Sequence, residues 1–245
     1  LLIADAVRVF GGAERFVLDA AAGLRARGWP VTLLVYPGSP LHERACALGL
    51  DVHVARTRAN GAPWTVLPLV AWMRHRRFGA VLSVYDKDLR TAAWAARMAR
   101  PSTAILHSRE CDGPIKDRPW IRWFHRHVAD RVLVNSRATA RATLDSAPWL
   151  DPDRVAVVPK GVDLERFRPV ERPSHGVAVI GFAGQLVARK RVDHLIEALA
   201  RSPRPMVLRV AGTGPQRREL AALARRRGVE VRFDGFVDDM PAWYA

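Results

Sequence analysis

Two glycine-bearing loops and one histidine in this 245-residue chain have residue types suited to a phosphate or a sugar. Gly11-Gly12 follows an apolar run and opens an amphipathic one. Glycine lets a ligand approach the backbone, and a helix start offers free N–H groups to an anion. A phosphate or sugar contact and a plain turn are both open for the pair. It is not the GxGxxG fingerprint, so a bound NAD or FAD is not supported. In the second half, Gly181-Phe-Ala-Gly184-Gln185-Leu186 is followed by Arg189-Lys190-Arg191. A glycine loop, a helix start and three cations suit a diphosphate. The macrodipole disfavours cations at a helix start, which argues for a ligand there over a solvated loop. Gly212-Thr213-Gly214-Pro215 and Gly235-Phe236-Val237 read singly as ordinary turns. His107, with Ser108-Arg109-Glu110 after it, is expected just past the strand Thr103–Leu106. There it would project into a cleft as a hydrogen-bonding group at a sugar or acceptor, or be a surface loop histidine. The segment Trp120–His127 mixes aromatics and bases. It reads as a membrane-interface or lipid-acceptor helix, or, the favoured alternative, as buried aromatics with snorkelling arginines.

The elements that would position these residues alternate with regular spacing. Strands are predicted at Leu1–Ala4, Val31–Val35, Asp51–Ala55, Ala80–Val84, Thr103–Leu106, Arg131–Val134 and Val155–Val158. Helices are predicted at Ala13–Arg27, Pro40–Leu48, Trp64–Arg77, Leu89–Ala99, Pro119–Ala129 and from a Ser136 cap to Asp145. The stretch Val162–His175, with Pro169 and Pro173, has no period and reads as a linker. The alternation then restarts: strands Val177–Phe182, Met206–Val210 and Glu230–Phe233, helices Val192–Ala200 and Gln216–Arg227, and a helix start near Asp239. Such alternation predicts an α/β fold of two Rossmann-like parallel-sheet domains facing a cleft, residues 1–168 and 169–245, the second incomplete. Ligands of such sheets bind beyond the carboxyl ends of the strands, where the loops above lie.

Composition bounds the function classes. Half of the chain is hydrophobic (49%), which is globular. The net charge is +15, but the bases are arginine save for Lys87, Lys116, Lys160 and Lys190. With so much alanine, that excess reads as GC-rich coding and not as a nucleic-acid footprint. Cys46 and Cys111 stand far apart, with neither disulfide nor zinc spacing, so a reducing, cytoplasmic compartment is the expectation. No run of residues is long and apolar enough to span a membrane.

Taken in order, these motifs resemble glycosyltransferase family 4, the retaining GT-B enzymes. Gly11-Gly-Ala-Glu-Arg15 with Leu24 and Arg27-Gly28 is similar to its amino-terminal segment. Asn135-Ser136, Val157-Val-Pro-Lys-Gly-Val-Asp163 and Phe167-Arg-Pro169 resemble its domain junction. Ala183-Gly-Gln-Leu-Val187, Lys190, Asp193–Ala198, Val210–Pro215 and Val231–Val237 resemble its carboxyl-terminal half. The resemblance implies a nucleotide-sugar donor on the carboxyl-terminal domain and a glycan or lipid-linked acceptor on the amino-terminal one. It implies transfer with retention, no metal and no cofactor. His107 then matches the active-site histidine. Gly11, Gly12, Gln185, Arg189 and Lys190 match the donor-phosphate site. Gly184, Gly212, Gly214, Gly235 and Phe236 match the nucleotide-side loops. Peripheral contact with the inner face of the cell membrane fits such an acceptor.

Three departures stand out. Gln185 replaces an arginine that more often faces the diphosphate, and Lys160 replaces an asparagine. The family's E-x7-E carboxylates would follow Asp238–Ala245, beyond residue 245, which implies a poor catalyst in these residues alone. A GT-B sugar-nucleotide epimerase and a non-catalytic sugar-nucleotide-binding protein are the alternatives. Loops Asn60–Trp64 and Cys111–Pro119 are expected to choose the acceptor.

Overall fold

A computed structural model describes residues 1–56, 61–110, 113–170 and 176–245. The chain packs as two units, Leu1–Lys160 and Gly161–Ala245. The sequence-based boundary after Arg168 lies in the stretch 158–170, which has no helix or strand. Residues 171–175 of the expected linker lie outside the described residues.

The first unit is a seven-stranded, wholly parallel sheet: β1 (Leu2–Asp5), β2 (Thr32–Val35), β3 (Asp51–Val54), β4 (Ala80–Ser83), β5 (Ala104–Arg109), β6 (Arg131–Val134) and β7 (Val155–Val157). The spatial order is β3-β2-β1-β4-β5-β6-β7. β1 and β2 are buried along their whole length, as a parallel sheet covered on both faces requires. Helices α1 (Gly12–Ala26), α2 (Pro40–Ala47) and α3 (Pro63–Arg76) fall where the helical period places them. α1 buries Val17, Leu18 and Ala21 against Ile3, Leu33 and Leu41. On the other face α3 buries Val66, Leu69, Val70 and Met73 against Leu2, Val81 and Ile105.

The next helix departs from expectation. It begins at Asp86 and not at Leu89: α4 (Asp86–Asp88), a π-helical turn Leu89–Ala93, then α5 (Trp94–Ala99). Asp88 is the reason for the early start, since its carboxylate accepts the Tyr85 N–H at 3.3 Å and caps the turn. Thr91 Oγ1 donates to the Lys87 carbonyl at 2.7 Å inside the widened turn. α6 (Pro119–His127) and α7 (Arg137–Ser146) complete the unit, and Ser136 caps α7 by accepting the Thr139 N–H at 3.0 Å.

The second unit has a three-stranded parallel sheet of order β10-β9-β8, from β8 (Ala178–Ala183), β9 (Met206–Ala211) and β10 (Glu230–Gly235). α8 (Val192–Ala200), α9 (Arg217–Arg227) and a short α10 (Met240–Tyr244) go with it. Its core joins Leu186, Val192, Ile196, Leu208, Val210, Leu220 and Ala224. Among the described residues no helix is long and apolar enough to cross a membrane.

Candidate active site

Between β1 and β4 the strand order of the first sheet reverses, and in open parallel sheets ligands bind at such a place, beyond the carboxyl ends of the strands. Gly11 and Gly12 stand at this place. The Gly11 N–H donates to Glu14 Oε2 at 2.7 Å, and Tyr85 from the β4 side donates its hydroxyl to Glu14 Oε1. The first-turn N–H groups of α1 have no partner within the helix. A Cβ at Gly12 would meet nothing within 4 Å, so packing does not demand glycine there.

Below the loop lies a buried acidic group. Asp5 and Asp88 are both 0% exposed, and Glu14 is 2% exposed. Burial, then the charges of Asp88 and Glu14, pushes the Asp5 carboxyl up to about 8. Burial pushes Asp88 up to about 7, although Lys87 and the N–H groups of Ala6 and Tyr85 oppose it. Burial, then the hydrogen bond to Glu14, raises the Tyr85 phenol well above its ordinary range. Lys87, after β4, donates to the carbonyl of Ala6, after β1.

His107 sits one strand further along. The sequence put it past the end of a strand and out of the core, and the structure corrects this. β5 runs on to Arg109 because Ser108 and Arg109 pair with Leu133 and Val134 of β6. His107 is therefore a strand residue, 1% exposed, with Ser83 opposite it on β4. Its Nδ1 lies 3.0 Å from Ser83 Oγ and its Nε2 lies 3.2 Å from Asp86 Oδ1. The Asp86 side chain is 44% exposed, so the pair reaches solvent through the carboxylate. Burial by itself would raise the Asp86 carboxyl, but His107, His125 and Arg109 hold it well below the usual carboxylate range. His125 Nε2 is 3.9 Å from the same oxygen, and the two rings meet edge to face at 5.2 Å. Burial, then the His107 charge, pushes His125 down to about 3, so its ring is neutral in the fold. Asp86, His107 and His125 have the residue types and spacing of a cation site.

The helix carrying His125 is also corrected. Ile121 and His125, four apart, face inward, while Trp120 and Trp123 are 50% and 45% exposed. The two tryptophans are thus not on the buried face, because one helical stripe points to the sheet and both lie off it, while Phe124 packs partly buried against the core. Beside α6 and Asp86 a cavity of about 790 Å³ opens, lined by Arg90, Trp94, Lys116, Arg118 and Trp120. Of the two loops expected to choose the acceptor, Asn60, Cys111 and Asp112 lie outside the described residues, while Gly61 and Pro114 line this cavity. Cys46 is free and exposed. Lys160 pairs with Glu110, two residues past Ser108, and lies 4.5 Å over the Phe16 ring of α1.

In the second unit the three loops at the carboxyl ends of the strands are bound to one another. The Gly184 N–H donates to Ala211 O at 2.9 Å, Leu186 N–H to Thr213 O at 2.9 Å, and Gly212 N–H to Gly235 O at 2.6 Å. The packing needs glycine at two of these places. A Cβ at Gly212 would lie 1.9 Å from Gly184 O, and one at Gly214 2.4 Å from Leu186 O. Gln185 and the half-exposed Phe236 flank them. The three expected cations divide. Arg191 is the left-handed N-cap of α8 and turns back onto Asp193 at 3.2 Å. Arg189 and Lys190, in a 3₁₀ turn before it, are exposed and have no ion pair among the described residues.

The structure thus gathers Gly184, Gln185, Arg189, Lys190, Gly212, Gly214, Gly235 and Phe236 on the second unit. On the first it sets Gly11 and Gly12 after β1 and His107 inside β5, with β4 between them. Sequence reasoning missed Asp86, His125, Tyr85 and the buried acids Asp5 and Asp88. Asp86 stood in plain view at the end of a strand, the same signal that singled out His107.

Comparison with known proteins agrees with this architecture. Residues 10–166 match the model of Glycosyltransferase Family 4, and residues 177–245 match Glycosyl transferases group 1. The 2-deoxystreptamine glucosyltransferase of Streptomyces kanamyceticus is 34% identical over 119 residues, 45% of this chain and 30% of that relative. The D-inositol 3-phosphate glycosyltransferase of Geodermatophilus obscurus is 42% identical over 81 residues, 30% of this chain and 18% of that relative. The match therefore spans less than a third of either curated relative. In fold, the chain is similar to Anabaena Alr3699/HepE in complex with UDP-glucose, with a TM-score of 0.81 at 22% identity, over 99% of this chain and 70% of that one. A glycosyltransferase from Rickettsia africae aligns with a TM-score of 0.78 at 16% identity, over 99% and 69%. The fold is that of the GT-B glycosyltransferases, and with its family model matched over more than half of its length the chain belongs to glycosyltransferase family 4.

Proposed function

We propose that the protein moves a sugar from a nucleotide-sugar donor to a hydroxyl of a glycan or lipid-linked acceptor, with retention at the anomeric carbon. The observation that carries the reading is the bundle of three loops at the strand ends of the second unit, followed by Arg189 and Lys190, which have no ion pair among the described residues. Backbone amides, a helix start and two cations suit a diphosphate. The fold neighbour bound to UDP-glucose supports a nucleotide sugar as donor.

In the step itself the anomeric C–O bond breaks and its electron pair stays on the diphosphate. The acceptor hydroxyl forms the new bond on the same face, and its proton passes to the departing diphosphate oxygen. Charge grows on the diphosphate as the bond breaks, so cations already in place lower the barrier more than they tighten the ground state. Arg189 and Lys190 supply them without a metal, and no cofactor enters. Gly11 and Gly12, on a helix start free of side chains, leave room for the sugar–phosphate end. His107, with Ser83 and Asp86 on its two ring nitrogens, acts at the sugar through the Asp86 carboxylate that it orients. Nucleotide sugars are cytoplasmic metabolites, which fits work in the cytoplasm, at the inner face of the membrane when the acceptor is a lipid.

The test is nucleoside-diphosphate release by the full-length protein from UDP-, GDP- and ADP-sugars, with and without a membrane-lipid extract. Release from one donor, raised by the extract and lost in Lys190→Ala, is expected. Release with isomerised sugar and no need of acceptor would replace the reading with an epimerase. Tight donor binding with no turnover under any acceptor would leave a binding protein.

A further inference from the structure

The cavity beside Asp86 has a composition that the donor site does not explain. Its volume, about 790 Å³, lies in the range of small-molecule sites. Arg90, Lys116 and Arg118 line it, and none of the three has an ion pair among the described residues. Across the same helix the situation is ordinary: Arg122 is closed onto Asp117 through two 2.5 Å hydrogen bonds. Trp94 and the half-exposed Trp120 supply flat apolar walls, and the Arg118 guanidinium lies 5.1 Å over the Trp120 ring. Among the described residues the one carboxylate of the wall is Asp86, whose other neighbour is His107.

We propose that this cavity takes the acceptor and that the acceptor bears a phosphate; the proposal rests on the transferase reading above. Three cations with no ion pair among the described residues, set around a concave wall, favour an anion, and charge-assisted bonds from guanidinium and ammonium groups are the strong ones. The tryptophan walls suit the face of a sugar or polyol ring. Asp86 accepts a ring hydroxyl and repels the phosphate. The ligand is thereby turned with its phosphate toward Arg90, Lys116 and Arg118 and a hydroxyl toward Asp86. A cationic acceptor is disfavoured by the same charges. The phosphate can belong to a soluble sugar phosphate or to a lipid headgroup; the chemistry at the wall is shared.

The experiment titrates the protein, saturated with UDP to occupy the donor-phosphate loops, with glucose 6-phosphate and with glucose by calorimetry. Glucose 6-phosphate should bind at least about tenfold more tightly, a difference of roughly 1.4 kcal/mol. The variant Arg90→Gln/Lys116→Gln/Arg118→Gln, with an unchanged far-UV spectrum, should lose that preference, and Arg122→Gln should keep it. A second arm measures cosedimentation with phosphatidylglycerol against phosphatidylcholine vesicles. Retention on the anionic vesicles that the triple variant loses assigns the phosphate to a lipid. Its absence, with glucose 6-phosphate bound, assigns it to a soluble acceptor. Equal affinity for glucose and glucose 6-phosphate, or a loss in Arg122→Gln as large as in the triple variant, overturns the proposal. Lys190→Ala separates the two readings: lost diphosphate release with intact glucose 6-phosphate binding concerns the donor side only, and intact release with no phosphate preference sinks the cavity assignment only.

Discussion

The Nε2 atom of His107 lies 3.2 Å from Oδ1 of Asp86, joining a strand residue that is 1% exposed to a side chain that is 44% exposed. The carboxylate orients the imidazole, and Ser83 fixes its other nitrogen. Asp86→Asn should therefore reduce kcat by about 10–100-fold, the scale seen when the partner orienting a functional histidine is lost. His107→Ala should cost at least as much. Donor affinity, read by UDP titration, should change by less than about twofold in both, since neither residue belongs to the donor-phosphate loops. Equal losses in affinity and turnover would assign the pair to binding and not to catalysis.

The diphosphate loops make an opposite forecast. Lys190→Ala should weaken UDP binding by roughly tenfold or more, as loss of a charge-assisted bond of about 1.5–3 kcal/mol requires. Gln185 makes no side-chain hydrogen bond among the described residues, so Gln185→Arg can add a cation without breaking a contact. It should tighten UDP by a similar factor. Calorimetric titration of both variants checks this, and an unchanged Kd for Lys190→Ala would remove the loop from the donor site.

Gly12 and Gly212 should respond to alanine in contrary ways. At Gly12 a Cβ has open space, so Gly12→Ala should unfold at the parent's denaturant midpoint and yet bind donor more weakly. At Gly212, with φ at +150°, the Cβ would strike the Gly184 carbonyl, which the bonds of Gly184 to Ala211 and Gly212 to Gly235 hold in place. Gly212→Ala should lose about 2–3 kcal/mol, the scale of a forced steric clash. Hydrogen exchange of β8–β10 would show the loss confined to the second unit.

Stability should depend on pH through the buried acids. Asp5 and Asp88, raised to about 8 and about 7, keep their protons in the fold where the unfolded chain has lost them. Their contribution is full below about pH 4, the unfolded carboxyl value, and is lost as pH rises through 7–8. His125, lowered to about 3, acts in the other direction. Its contribution is full above about pH 6.5 and is lost as pH falls toward 3. In Asp5→Asn the alkaline loss should shrink, with a melting midpoint at pH 8.5 higher than the parent's by at least about 2–4 °C, the shift that 1 kcal/mol gives in a chain of this size. A midpoint gap unchanged between pH 6 and pH 8.5 would count against a protonated Asp5.

Much of the architecture was legible along the chain, because strand alternation, helical period and glycine placement are local. The runs that became β1, β2, α1, α8 and α9 carry their burial pattern in neighbouring residues. Gly11-Gly12, Gly184-Gln185 and Gly212–Gly214 could be assigned to strand-end loops from spacing alone. The length of β5 could not, since it depends on Ser108 and Arg109 finding Leu133 and Val134, some two dozen residues later. That pairing decides whether His107 is a loop histidine or a buried one.

The sequence by itself determined the order of strands and helices and the glycine loops between them, because the period of 2 or 3.6 is written in each segment. Only the tertiary structure decided who faces whom. It brought His125 from α6 and Asp86 from the β4 turn to His107, turned Arg191 onto Asp193 while leaving Arg189 and Lys190 without an ion pair among the described residues, and set Arg90, Lys116 and Arg118 around one cavity. Those outcomes depend on strand order and register, which place residues dozens apart within hydrogen-bond reach, and no local pattern encodes that distance.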